Sequence, residues 1–81
     1  MEKSLNNPDQ KILLDLLRKL RRDRNLSQAD IGERIQKRQT FVSKYELGER
    51  RLDVIELRAV CKAIGVSLPD FVSELEKRLC D

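Results

Sequence analysis

Histidine and tryptophan are absent from these 81 residues, which also hold only three glycines, two prolines, two cysteines and three aromatic rings, Phe41, Tyr45 and Phe71. Without His no Cys/His or Ser/His pair can activate a nucleophile, and no glycine-rich loop is present to cradle a phosphate. An enzyme is therefore disfavoured, and no catalytic residue is assigned. Cys61 and Cys80 lack metal-ligand spacing, so neither a metal site nor a cofactor is expected. They read as two free thiols in a reducing cytosol. No apolar run approaches the roughly 18 residues of a membrane span, and the stretch opening at Met1 lacks the apolar segment of a signal peptide. The expected location is the cytoplasm, with no membrane partner.

What is present is charge and helical periodicity. Charged residues make up 38% of the chain and hydrophobic ones 40%, a globular balance, and the lack of β-branched alternation argues for an all-α fold. A domain this small buries only about 60–65% of its unfolded surface, so every helix must contribute to one core. The net charge of +3 is a weak hint of nucleic acid, and its distribution says more. Basic residues crowd 18–24 and 34–51, whereas the stretch from Ser67 to Asp81 is acidic and unsuited to DNA.

Residues 1–8 carry no periodic pattern and read as a flexible lead-in; a single domain over 9–81 follows. Leu13, Leu16, Leu17 and Leu20 predict an amphipathic helix over Asp9–Arg24, broken at Asn25-Leu26. Ser27-Gln-Ala-Asp30 is an acidic capping box that starts helix two. Gly32 inside that helix implies either a close approach by the following helix or a tolerated exposed glycine. Gln36-Lys37-Arg38 should form a turn, with helix three over Gln39–Leu47 ended by Gly48. Ala29, Ile31, Ile35, Val42 and Tyr45 supply the apolar positions of this pair. Asp53 caps helix four, whose buried stripe is Val54, Leu57, Val60, Cys61 and Ile64, and Gly65 closes it. Ser67-Leu-Pro-Asp70 caps a last helix over about 68–80.

Two short helices joined by a tight turn, with polar and basic residues on the second, have the shape of a DNA-reading helix-turn-helix at helices two and three. Leu20-Arg21, Leu26-Ser27-Gln28, Ile31-Gly32, Ile35, Val42-Ser43, Tyr45-Glu46, Gly48, Arg50 and Ala63-Ile64-Gly65-Val66-Ser67 together resemble the Cro and lambda-repressor type, also called the xenobiotic-response-element family, from Leu17 to about Leu75. The resemblance implies a five-helix lambda-repressor-like domain with helix three in the major groove. It also implies an ion pair between Arg21 and Glu46 that ties helix one to helix three. The turn departs from the family pattern: Gln36, Lys37 and Arg38 stand where Gly, an apolar residue and a Ser or Thr cap are common. A non-Gly residue in a left-handed turn costs about 1 kcal/mol, and Arg38 is a poor cap.

Gln39 at the start of helix three suits the N6 and N7 edge of adenine, with Thr40, Ser43 and Lys44 as further base-contact candidates. Gln28, Lys37, Arg38, Arg50 and Arg51 are candidates for phosphate. Phe41 suits a thymine methyl or the rim of the core equally. One recognition helix spans few base pairs, so a homodimer on an inverted repeat of double-stranded DNA is implied. Its surface is sought on the last helix, at Phe71, Val72, Leu75 and Leu79, together with Leu13 or Leu14, although the same stripe would also serve to close the monomer core. The sequence thus reads as a bacterial or phage transcriptional regulator, expected to be a repressor, with no small-molecule ligand. The alternative is an antitoxin or adaptor-like protein-interaction module on the same fold, marked by an exposed apolar groove; a nonspecific nucleic-acid coat is a third.

Overall fold

Each helix begins where a side chain takes over the first unpaired backbone N–H groups. In the computed structural model, which describes residues 7–80, the Asn7 carboxamide oxygen accepts from the Gln10 N–H at 2.7 Å and Pro8 occupies the first turn of α1 (Pro8–Asp23). Residues 1–6 of the expected lead-in, and Asp81, lie outside the described residues. α2 (Gln28–Arg34) starts at the complete Ser27/Asp30 capping box. α3 (Gln39–Glu46) follows Arg38, which makes no side-chain cap bond. α4 (Val54–Ile64) starts at a second capping box, Asp53 with Glu56, and α5 (Leu68–Leu79) at Ser67. Among the described residues these five helices form an all-α domain without a strand.

The stops are conformational. Asn25 takes a left-handed φ of 59° at the end of α1, and Gly48 and Gly65 take 81° and 101° after α3 and α4. The backbone of α4 packs against those of α1 and α2, which do not touch each other; α3 lies on α1 and α2, and α5 on α1 and α4. Leu16 and Leu17 of α1, Ile31, Val42, Tyr45, Val60, Cys61, Ile64 and Phe71 meet in one core from which water is almost fully excluded. Burial also pushes the Cys61 thiol up to about 11, which keeps it protonated. Cys61 and Cys80 are both free thiols.

Several apolar expectations are corrected. Phe71 is fully buried, because α5 closes the core over α1 and α4, and Leu14 is nearly so beside the end of α3; neither side chain is available to a second copy. Leu75 and Leu79 are half-buried, and only Val72 of the proposed stripe is exposed. Val54, expected in the buried stripe of α4, is 66% exposed, since the first turn of that helix projects past the edge of the core. Ala29 is exposed as well.

Gly32 is explained by contact. A Cβ there would lie 2.9 Å from the Lys37 carbonyl oxygen and 3.3 Å from the Arg38 carbonyl carbon. The close approach comes from the turn itself rather than from the body of α3, and the Lys37 N–H donates to the Gly32 carbonyl at 2.8 Å. Gly32→Ala should therefore destabilise the domain by about 1–3 kcal/mol in urea denaturation, because the backbone must move and the gain in helix propensity is only about 1 kcal/mol. Gln36 holds φ at 60°. Gln36→Gly should raise stability by about 0.5 kcal/mol, the relief of left-handed strain exceeding the added chain entropy.

Candidate nucleic-acid interface

The α2–turn–α3 unit is anchored from below. Arg21 of α1 places Nε 2.7 Å from Glu46 Oε2 and Nη2 3.1 Å from Oε1, a two-pronged pair with both side chains less than a tenth exposed. Arg21 Nη1 also donates to the Leu26 carbonyl at 2.8 Å, fixing the loop into α2. The pair expected from the resemblance is present.

From Glu46 the order runs outward. A carboxylate can only accept, so Gln28 must turn its NH2 to Glu46 Oε1, at 3.0 Å. That leaves the Gln28 carbonyl oxygen to accept from Gln39 Nε2, at 3.2 Å. Gln39 in turn keeps its own carbonyl oxygen and one N–H, the pair an adenine edge requires. Thr40 and Lys44 are exposed beside it and Ser43 is half-buried. Gln28, expected at a phosphate, is thus held within the molecule between Glu46 and Gln39, a linkage that residue spacing alone does not reveal.

Among the basic candidates, Arg38 and Arg51 are exposed at the two ends of α3 and the following loop. Lys37 sits with its ammonium 5.4 Å from the centre of the Phe41 ring. Arg50 is engaged inside the molecule. Its Nη1 and Nη2 lie 3.0 and 2.7 Å from the Glu56 carboxylate, its Nη1 donates to the Arg51 carbonyl at 2.7 Å, and its guanidinium lies 4.6 Å from the Phe41 ring centre. Phe41 meets Tyr45 edge-on at 5.9 Å, which makes it a packing residue at the core rim. Glu56 receives no role from the sequence alone; its place three residues after Asp53 accounts for it locally, as the acid of a capping box, and gives no sign of Arg50 as a partner.

The comparisons with known proteins agree with this geometry. A family model described as Helix-turn-helix matches residues 17–71. The chain belongs to this helix-turn-helix family. It is similar to the control protein C.MunI of Mycoplasma sp, at 31% identity over 62 residues covering 75% of this chain and 84% of that one. An XRE-family like protein from Pseudomonas syringae pv. tomato is 39% identical, with a TM-score of 0.85 over 93% of this chain and 92% of that one. A single-residue variant of the restriction-modification controller protein C.Esp1396I is 25% identical, with a TM-score of 0.82 over 100% of this chain and 98% of that one. The same controller, solved as a tetramer in complex with its natural 35 base-pair operator, shares the fold at a TM-score of 0.84. The Cro and lambda-repressor resemblance is thereby borne out, and the helix-turn-helix family is one of DNA-binding transcriptional regulators, not of enzymes.

Two predictions follow from the ion pairs. Glu46→Gln leaves the Arg21 charge buried and half-paired and should cost about 3–5 kcal/mol in urea denaturation, whereas replacing Arg21 and Glu46 together by Met and Leu should cost far less. Arg50, with the Asp53 N–H, holds the Glu56 carboxyl down at about 2 from its ordinary 4.5. A depressed carboxylate contributes stability that is present above the unfolded value and is lost as pH falls through the folded one. The stability difference between wild type and Glu56→Gln should therefore shrink between pH 4.5 and about 2 in thermal unfolding followed by circular dichroism.

Proposed function

We propose that the chain is a cytoplasmic, sequence-specific regulator of transcription that represses from an inverted-repeat operator as a homodimer. Gln39 reads an adenine, Thr40, Ser43 and Lys44 extend the base contacts, and Lys37, Arg38 and Arg51 hold the backbone phosphates. The observation that carries this reading is the chain of bonds from Arg21 through Glu46 and Gln28 to Gln39, which orients an exposed amide before DNA arrives. For the second copy, the exposed apolar side chains are Leu47, Val54, Ile55 and Val72, not Phe71. Among the described residues no helix is long and apolar enough to cross a membrane. One similar protein is a restriction-modification controller, so a promoter serving such a gene pair is the place to seek the operator.

Those exposed apolar residues also favour a second reading, in which the same fold docks a different protein. Selection of bound duplexes from a randomised library decides between them. The regulator reading expects an inverted repeat with half-site centres roughly 34 Å apart; recovery of no motif would favour the protein partner. On the selected duplex, affinity should fall about 10³–10⁵-fold between about 50 and 200 mM salt if a dimer neutralises six to ten phosphates. Gln39→Ala should relax the base preference with only a modest loss of affinity, and an unchanged selected sequence would overturn the assignment of Gln39.

A further inference from the structure

Lys37 of the turn, Phe41 of the first turn of α3, Arg50 of the following loop and Glu56 of α4 converge although their helices do not. The backbones of α3 and α4 stay apart, so side chains must set the distance between them here. Arg50 provides the link: its flat guanidinium forks onto the Glu56 carboxylate and faces the Phe41 ring at 4.6 Å. Lys37 approaches the same ring at 5.4 Å. Glu56 is itself tied to the start of α4, accepting from the Asp53 N–H at 2.9 Å while its own N–H donates to Asp53 Oδ1 at 2.7 Å. The start of the recognition helix is thus braced against the cap of α4 through an ion pair and a ring.

Resting on the DNA-reading function proposed above, we infer that Glu56 is a positioning residue for sequence discrimination: it holds Arg50 against Phe41 and so sets the angle at which Gln39 and Thr40 meet the bases. Arg50 then acts as a brace rather than as a phosphate ligand. A lysine at position 50 would keep the charge but could not fork onto a carboxylate or lie flat on a ring.

The test is binding of the full chain to its selected duplex and to a scrambled duplex across a salt series, for wild type, Glu56→Gln, Arg50→Lys and the double variant. Gln at position 56 still completes a capping box, so α4 should keep its start, which circular dichroism would verify. The expected result is a preference for the selected over the scrambled duplex reduced by about fivefold or more in each single variant, with the double no worse than either. Binding to the scrambled duplex and the salt slope should not change. Tighter binding of Glu56→Gln to every duplex, or Arg50→Lys behaving as wild type, would overturn the inference. So would additive losses in the double variant, or loss of helical structure in Glu56→Gln. A wild type with no preference between duplexes would instead remove the DNA-reading function itself, and the inference with it.

Discussion

Arg21 and Glu46 sit almost wholly out of water, and each supplies the opposite charge that offsets the other's loss of hydration. Desolvating two ions is costly, and only a forked geometry with further hydrogen bonds offsets it. Here Leu26 and Gln28 supply those bonds, so the pair holds α1, the entry to α2 and the end of α3 in one arrangement. Were the pair merely stabilising, apolar residues of similar volume would serve as well. Its particular contribution is direction: an anion at Glu46 dictates which end of the Gln28 amide faces inward, and hence which end of Gln39 faces outward. The interior electrostatics and the outer surface are one structure in this domain.

Much of the fold was legible because it is written in local chemistry. Ser27, Asp53 and Ser67 cap helices within one turn of themselves, and Gly48 and Gly65 end helices through conformations few other residues tolerate. The leucines of α1 were readable for the same reason, since a periodic stripe needs no knowledge of its partner. What escaped depends on where the core stops. Val54 has the right spacing for the stripe of α4, yet it and Ile55 stand exposed in the first turn of that helix, before the buried stretch begins. Phe71 failed in the opposite sense: a stripe on a terminal helix looks surplus until α1 and α4 are seen beneath it.

At the site, the Arg21–Glu46 pair was legible only through a family resemblance, because nothing local joins residues 25 positions apart. The partnership of Arg50 with Glu56 had a nearer clue in Asp53-x-x-Glu56, but a capping acid conceals its second use. The Gln28–Gln39 bond had none, since its direction is imposed by Glu46 from beneath. The departures at the turn have local consequences: Gln36 takes a left-handed backbone and Arg38 makes no cap bond, while Gly32, which keeps to the family pattern, gives up a side chain so that two carbonyl groups can pass close by.

The Gln28–Gln39 bond also bears on how such a protein could change its target over evolutionary time. Replacing Gln39 by a side chain without a donor hands the carbonyl of Gln28 to water and loosens its amide, while replacing Gln28 removes one of the bonds that Glu46 receives beside those from Arg21. Retargeting by single steps is therefore penalised at both positions, and new specificities would arise more readily through paired changes. Thr40 and Lys44, exposed and outside that chain of bonds, are free to drift singly. The domain divides its reading surface into a frozen element, altered only in concert, and a mobile one in which variation is cheap.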